Sequence, residues 1–222
     1  RALELAIRSL QDHQTDVAMA AAADLGLDIL ERTSDAIEGH SSRAESATAV
    51  LLQRTEDALR DGHPILAVID GIGSASAGVL APQDAVSPSR EASRSAALRE
   101  SGLKHEQITL TCSDEPVLES QPDSNSSIRR EALLPPALSR SGCNSFLLSL
   151  LQGVTSLSQR ILPAADGTDQ PTPWIARKNQ PDRVLVERSG RLGDTAAMVI
   201  SAAASPPISL SEFPKNLRCL GE

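Results

Sequence analysis

The sequence predicts an α/β domain in which helices are layered against a sheet. Segments with apolar residues at helical spacing alternate along the chain with short apolar runs of the length of buried strands. Hydrophobic residues make up 40% of the 222 positions, which is enough for a core, whereas aromatic residues contribute only 1%. The core is therefore expected to consist of leucine, valine, isoleucine and alanine side chains.

The first third of the chain predicts two helices and three strands. Residues 1–12 carry apolar side chains at helical spacing. The alanine content of residues 15–23 suits a helix, but the run is short and closely follows another helix, so we predict a strand near 17–22. We expect a polar loop at 33–46 and a strand at 47–52. A helix at 54–60 should end at Gly62, and a strand buried on both faces should follow at 65–69.

The middle of the chain mixes one clear helix with polar segments. Gly71, Gly73 and Gly78 indicate a flexible exit from the preceding strand. We expect a loop at 82–89 and a helix at 90–101 that ends at Gly102. A strand is expected at 108–112, and an irregular polar segment at 113–136.

The last third predicts a long helix and a pair of strands. Leucine and valine form an apolar stripe along residues 144–158, and a proline-rich loop follows over 163–182. Strands at 183–187 and 196–202 are expected to pair antiparallel around Gly190 and Gly193. We expect the six strands to share one sheet, residues 1–204 to form the domain, and residues 205–222 to form a proline-containing tail or linker.

Composition excludes several classes of function. The net charge of −8 argues against a nucleic-acid or anionic-membrane partner. No apolar run is long enough for a membrane span. The three cysteines have no metal-ligand spacing, so we expect free thiols in the reducing cytoplasm, no bound metal and no cofactor. Because the chain starts inside a helix without a methionine, we interpret it as a fragment or an excised domain.

Three segments together resemble one enzyme family. Residues 54–71 read RTEDALRDGHPILAVIDG, residues 149–163 read SLLQGVTSLSQRILP, and residues 190–200 read GRLGDTAAMVI. In this order they resemble landmarks of the β-ketoacyl synthase (ketosynthase) domains of polyketide and polyunsaturated fatty acid synthases. The resemblance implies the C-terminal half of a thiolase-like layered fold, with a mixed five-stranded sheet flanked by helices.

The catalytic residues of that family are not recognisable here. Ketosynthases use a cysteine nucleophile and two histidines, and the cysteine position would lie just before Arg1. By alignment to the family, Asp114 is nearest the first histidine position and Arg140 occupies the second. The family's lysine position falls near Pro135, and its glycine-rich motif is reduced to Gly190 and Gly193. A guanidinium cannot exchange protons and a carboxylate cannot donate to an oxyanion unless protonated, so we expect no condensation.

Two interpretations of the altered positions stay open. In one, Asp114 and Arg140 form a buried ion pair that fills the former active site; in the other, Asp114 lies on a mobile, exposed loop. Cys112 and Cys143 flank the same region and are expected to act as small buried hydrophobes. The four histidines are expected in turns and loops, away from any chemistry.

The resemblance implies three roles of different kinds. The first is a non-catalytic, chain-length-factor-like domain that pairs as a homo- or heterodimer with an active ketosynthase and contacts an acyl carrier protein. The second is a truncated and divergent active ketosynthase that performs decarboxylative Claisen condensation. The third is a decayed remnant without function.

Overall fold

The computed structural model describes residues 1–25, 33, 36–37, 44–78, 86–114, 130–135, 138, 144–163, 170–175, 182–190 and 193–203. The helices whose bounds fall within these ranges are α1 (Ala2–Gln11), α2 (Thr55–Asp61), α3 (Val86–Ser101) and α4 (Ser145–Gln159), together with a short 3-10 helix at His105–Gln107. The strands are β1 (Val17–Asp24), β2 (Ser46–Gln53), β3 (Ala67–Ser76), β4 (Leu110–Ser113), β5 (Arg130–Leu133), β6 (Ile161–Leu162), β7 (Thr172–Pro173), β8 (Arg183–Ser189) and β9 (Asp194–Ala202).

A mixed five-stranded sheet with the order β3-β9-β8-β4-β5 forms the centre of the fold. β4 runs parallel to β5 and β8, whereas β9 pairs antiparallel with β3 and β8. This confirms the predicted mixed five-stranded sheet and the predicted β8–β9 hairpin. The prediction that all six strands share one sheet is wrong, because β1 and β2 form a separate antiparallel ribbon.

The two faces of the sheet are covered by different helices, and β8 shows the alternation most clearly. Val184 and Val186 point to the α4 face, where they join a large apolar cluster that also includes residues of α1 and the ribbon. Leu185 points to the α3 face and packs with Ala97 of that helix. Side chains of a strand alternate between faces, so one strand contributes to both layers.

The contact between β3 and α3 is made by backbone atoms. A Cβ atom on Gly71 would lie 2.8 Å from the Ser101 nitrogen, and one on Gly73 would lie 2.7 Å from the Ala97 nitrogen. These glycines therefore belong to the strand and permit close helix packing, and the prediction of a flexible exit is wrong. β3 is also an edge strand with half-buried residues at 67–70, so the prediction that it is buried on both faces is wrong.

Three further boundaries differ from the sequence prediction. The segment expected to be irregular contains β5, whose pairing with the buried β4 supplies the order that its polar sequence does not indicate. α3 begins at Val86 rather than at 90, because Pro88 is accepted in the first turn of a helix. The proline-rich loop contains β7, which pairs with β6. The end of α2 at Gly62, in the left-handed conformation, is confirmed.

Candidate functional site

Asp114, which the resemblance places nearest the family's first histidine position, lies where the ends of β4 and β8 meet the start of α4. Asp114 directly follows β4 and is only 6% exposed. The interpretation in which Asp114 lies on an exposed loop is therefore wrong. Arg140 and Cys143 lie outside the described residues, so the Asp114–Arg140 pair stays a prediction.

Asp114 joins three elements through its carboxylate. The Ser145 hydroxyl in the first turn of α4 donates to Oδ2 at 3.1 Å. The backbone N–H of Ser189, at the end of β8, donates to Oδ1 at 3.2 Å. The Arg188 Nε lies 4.0 Å from Oδ2. We call Asp114, Ser145, Arg188 and Ser189 the Asp114 cluster; its hydrogen bonds hold the carboxylate in place.

Ser189 also connects the Asp114 cluster to the opposite face of the sheet. Its hydroxyl accepts hydrogen bonds from Nε and Nη2 of Arg90 in α3, at 2.9 and 2.5 Å. One residue of β8 thus contacts the carboxylate through its backbone and the guanidinium through its side chain. The cluster is anchored by both helical layers.

The two glycines around which β8 and β9 pair differ in what they require. Gly193 adopts a positive φ of 75° in the β8–β9 turn, where its N–H donates to the Gly190 carbonyl at 3.0 Å. This backbone conformation favours glycine at 193. A Cβ atom on Gly190 would lie 2.5 Å from the Asp194 Cγ, but the Asp194 side chain is exposed and can move.

Cys112 is buried in β4, two residues before Asp114, and has no exposed surface. Burial raises the pKa of its thiol to about 12. The nucleophile in thiol chemistry is the thiolate, which is disfavoured in an apolar environment. The structure therefore confirms Cys112 as a small buried hydrophobe and gives it no nucleophilic role.

None of the histidines that the structure describes lies in the Asp114 cluster. His13 follows α1, His63 follows α2 with its Nδ1 2.7 Å from the Gln53 Oε1, and His105 lies before the opposite end of β4. Pro135, near the family's lysine position, is exposed after β5. Within the described ranges no group of three His, Cys, Asp or Glu side chains could hold a metal ion.

Sequence reasoning missed the serines that hold Asp114. Ser145 and Ser189 are buried, at 2% and 8% exposure. Asn144 beside them has no exposed surface and donates to the Ser46 hydroxyl of β2 at 2.8 Å. The sequence did contain a signal for these contacts, because small polar residues stand at the start of the otherwise apolar helix α4. Polar side chains that are buried need hydrogen-bond partners.

The architecture has a mixed five-stranded sheet with helices packed on each of its faces. This arrangement is that of the thiolase-like fold. Solved ketosynthases share it. The ketosynthase from module 6 of the bacillaene synthase of Bacillus subtilis 168 superimposes with a TM-score of 0.73 at 15% identity, over 91% of this chain and 44% of that chain. The oxazolomycin ketosynthase domain OzmH KS7 of Streptomyces albus JA3453 gives 0.73 at 17% identity, over 94% and 46%.

A sequence comparison points in the same direction. The chain is 27% identical to the spectinabilin polyketide synthase system protein NorA′ of Streptomyces orinoci, over 93% of this chain and 7% of that protein. No family model matches the chain. The chain thus spans less than half of the two ketosynthases above and a small part of the polyketide synthase protein. The chain therefore has the fold of part of a ketosynthase, and its sequence is similar to part of a polyketide synthase protein.

Proposed function

We propose that the chain is a non-catalytic ketosynthase-like part of a polyketide synthase, which acts as a structural, chain-length-factor-like partner of an active condensing enzyme. The main support is the Asp114 cluster. The carboxylate nearest the family's first histidine position is buried and already hydrogen-bonded to Ser145 and Ser189. A group held in this way neither exchanges protons with a substrate nor donates to an oxyanion.

The second support is that the thiol of β4 offers no substitute for the family's nucleophile, whose position lies before Arg1. Condensation begins when a thiolate accepts an acyl group, and Cys112 is buried with its pKa raised to about 12. The chain retains Gly190 and Gly193 of the hairpin between β8 and β9. Their retention fits a role that requires the fold but not the condensation reaction. Similarity to a polyketide synthase protein favours this setting over fatty acid synthesis.

The proposed partner is an active ketosynthase in a homo- or heterodimer, with an acyl carrier protein as a further contact. We place the assembly in the cytoplasm because the sparse cysteines suit a reducing compartment. None of the helices in the described part of the chain could cross a membrane. The division into a domain over 1–204 and a tail over 205–222 stays part of this proposal.

An acylation assay tests the proposal directly. The purified chain is incubated with an acyl thioester and a malonyl carrier protein, and acyl transfer and condensation are followed by mass spectrometry. We expect neither product. Condensation that is faster than in the C112A/C143A variant would overturn the proposal and support the divergent active ketosynthase.

The sequence encoded before Arg1 separates the proposed function from its alternatives. A cysteine within about ten residues, at the family's nucleophile position, would favour the active enzyme. A glutamine or glycine there would favour the pairing role. Failure of the purified chain to bind an active ketosynthase of the same system would favour the remnant.

A further inference from the structure

β3 is a long strand with one open edge. It runs for ten residues, whereas strands in globular proteins most often have about five or six. β9 pairs with one side of it, and in the described part of the chain no strand pairs with the other side. We call this other side the outer edge. An open edge presents N–H and C=O groups to which a strand of another molecule can add.

The sequence of β3 protects only part of the outer edge. Proteins usually protect such edges with charges, proline or bulges. Asp70 supplies both a charge and a bulge, because the register with β9 shifts between Ile69 and Gly71. The six residues that follow, GIGSAS at 71–76, contain neither charge nor proline and pair with β9 in unbroken register. Protection of this half of β3 therefore has to come from another element.

Backbone N–H groups in this half point alternately to β9 and to the outer edge. In an antiparallel pair, residues that exchange hydrogen bonds alternate with residues that do not. The Ala77 N–H donates to the Gly193 carbonyl at 2.9 Å, and the register of β3 with β9 continues from this pair. Counting back from Ala77, we infer that Ile72 and Ser74 direct their N–H groups to the outer edge.

A carboxylate from α3 occupies the outer edge at Ile72. Oε2 of Glu100 accepts a hydrogen bond from the Ile72 N–H at 3.0 Å, where the carbonyl oxygen of an added strand would otherwise bind. α3 can place the carboxylate there because its backbone packs directly on Gly71 and Gly73. An incoming strand would have to displace a charged acceptor before it could pair at this position.

Arg8 of α1 holds Glu100 in place. Its Nη1 donates to Oε1 of Glu100 at 3.0 Å. The side chains of Arg8 and Glu100 are 47% and 28% exposed, so the ion pair alone contributes little to stability. Glu100 also lies in the last turn of α3, where the negative end of the helix dipole disfavours a carboxylate. Glutamate is thus unfavourable for the helix itself, and its contacts with Ile72 and Arg8 offset that cost.

A second carboxylate reaches the next outward-facing residue. The Ser74 hydroxyl donates to Oε2 of Glu4 in α1 at 3.3 Å. Glu4 and Arg8 are neighbours on the surface of α1, because they are four residues apart in a helix. α1 and α3 together therefore bring charged side chains to a stretch of β3 that has none of its own.

We propose that Glu100, held by Arg8, protects the outer edge of β3 against the addition of a strand from a second copy of the chain. The carboxylate occupies the Ile72 N–H and places a negative charge beside an uncharged part of the strand. Glu4 gives weaker protection at Ser74, where it contacts a side chain and not the backbone. This inference depends on the contacts above and not on the proposed function.

Amide hydrogen exchange tests whether Glu100 occupies the Ile72 N–H. Protection factors are measured by NMR in wild type, E100A and E100Q, with the Ser74 amide as a reference that faces the same edge. We expect E100A to lower the Ile72 protection about tenfold, the scale of a lost hydrogen bond to a charged group. E100Q keeps an acceptor oxygen and should retain most of the protection. Unchanged Ile72 protection in E100A would overturn the proposal.

Sedimentation over a concentration series tests whether the contact prevents association. E100A should self-associate at lower concentration than wild type and E100Q do. The control E56A removes a negative charge from an exposed position in α2, so it separates edge protection from a general effect of net charge. If E100A associates no more than wild type, the contact only fixes α3 to β3 and the proposal is wrong.

The double variant E100A/S74P distinguishes strand addition from partial unfolding. Proline is accepted on an edge strand where the N–H faces outward, and it blocks pairing there. We therefore expect S74P to reverse the association of E100A. Association that persists or increases in the double variant would come from exposed core or another surface, and would overturn the proposal.

Discussion

The two faces of the central sheet each bury a carboxylate, and they stabilise it in different ways. On the α3 face, Glu187 has no exposed surface and accepts hydrogen bonds from Nε and Nη2 of Arg94 at 2.7 and 3.1 Å. On the α4 face, Asp114 is held by a hydroxyl and a backbone N–H, with the Arg188 Nε at 4.0 Å. The first carboxylate has a bidentate cationic partner, whereas the second lies where the ends of three elements meet.

The two carboxylates also occupy different positions in the fold. The Arg94–Glu187 pair fixes a helix on a sheet within the main body of the fold. The Asp114 cluster lies at the end of the sheet, where open α/β sheets place their ligand sites. We therefore expect large stability effects on the α3 face and moderate ones in the Asp114 cluster.

The largest effect is expected from breaking the buried ion pair. R94A leaves the Glu187 carboxylate buried without its cationic partner, which typically costs about 3–5 kcal/mol. In E187A the Arg94 guanidinium keeps the Glu91 carboxylate 3.4 Å from Nη1, so this variant should cost less. Urea unfolding followed by circular dichroism measures the loss. The double variant R94M/E187L is the control, because two well-packed apolar residues remove both charges and should cost much less. A loss below about 1 kcal/mol for R94A would contradict the comparison.

A pair of glycine variants compares how closely α3 and α4 pack against the central sheet. In G73A the new Cβ meets the backbone of α3, including the Ala97 nitrogen at 2.7 Å, so we expect a loss of about 3 kcal/mol. In G153A the new Cβ meets side chains of the sheet, Val184 Cγ1 at 3.0 Å and Ile200 Cδ1 at 3.2 Å. Those atoms can shift, and alanine favours the helix by about 1 kcal/mol.

Unfolding midpoints of the two glycine variants provide the measurement. We expect G73A to be clearly destabilised and G153A to stay close to wild type. The opposite order would show that α4, and not α3, is the tightly fixed helix.

A smaller effect is expected in the Asp114 cluster. D114A leaves the Ser189 N–H and the Ser145 hydroxyl without their acceptor, which should cost about 2 kcal/mol. D114N keeps an acceptor oxygen and should cost less. A double-mutant cycle with R140A then tests the predicted ion pair: additive losses would exclude it, and a coupling of about 1 kcal/mol or more would support it. Chemical denaturation of the four proteins gives these values.

The smallest effect is expected at a third carboxylate, on the edge strand. Asp70 is half-buried at the bulge in β3 and accepts a hydrogen bond from the Ser201 hydroxyl at 3.1 Å. Burial raises the pKa of Asp70 above its usual value. The folded protein therefore binds this proton more tightly than the unfolded chain does, and the resulting stabilisation is lost as pH rises through the raised pKa.

The variant D70N isolates this contribution. Relative to wild type, D70N should gain stability as pH rises from the usual carboxyl range through the raised pKa, and the difference should be constant at neutral pH. Thermal unfolding midpoints across this range measure it. A difference that decreases with rising pH would contradict the assigned direction.

Local sequence patterns predicted most helices and strands but not their assembly. The helix α4 and the glycine stop of α2 were predicted from local signals, and both are confirmed. The predicted apolar stripe of α4 is only partly correct, because Leu147 and Leu157 are buried whereas Leu151 is exposed. The position of β3 at an edge depends on long-range pairing with β9, which no local pattern carries. For the same reason β5 was missed, since its neighbour β4 provides the order that its own composition does not indicate.

At the candidate site the sequence predicted one residue but not its contacts. The resemblance placed Asp114 nearest the family's first histidine position, which stays a prediction, and the structure shows that Asp114 is buried. Its partners Ser145 and Ser189 come from elements far apart in sequence, so spacing could not identify them. The Arg94–Glu187 pair was missed because each residue alone is typical of a solvent-exposed position.

The glycine contact between β3 and α3 has a consequence for how such a domain can diverge. Main-chain atoms are the same in every residue. A contact between main-chain atoms therefore requires glycine where the two backbones meet, but it places little restriction on the residue types at neighbouring positions. Random mutagenesis selected only for folded protein should therefore retain glycine at 71 and 73 while serine at 145 drifts to other small residues. A lineage could exchange its reactive groups by such drift, step by step, and inherit the architecture unchanged.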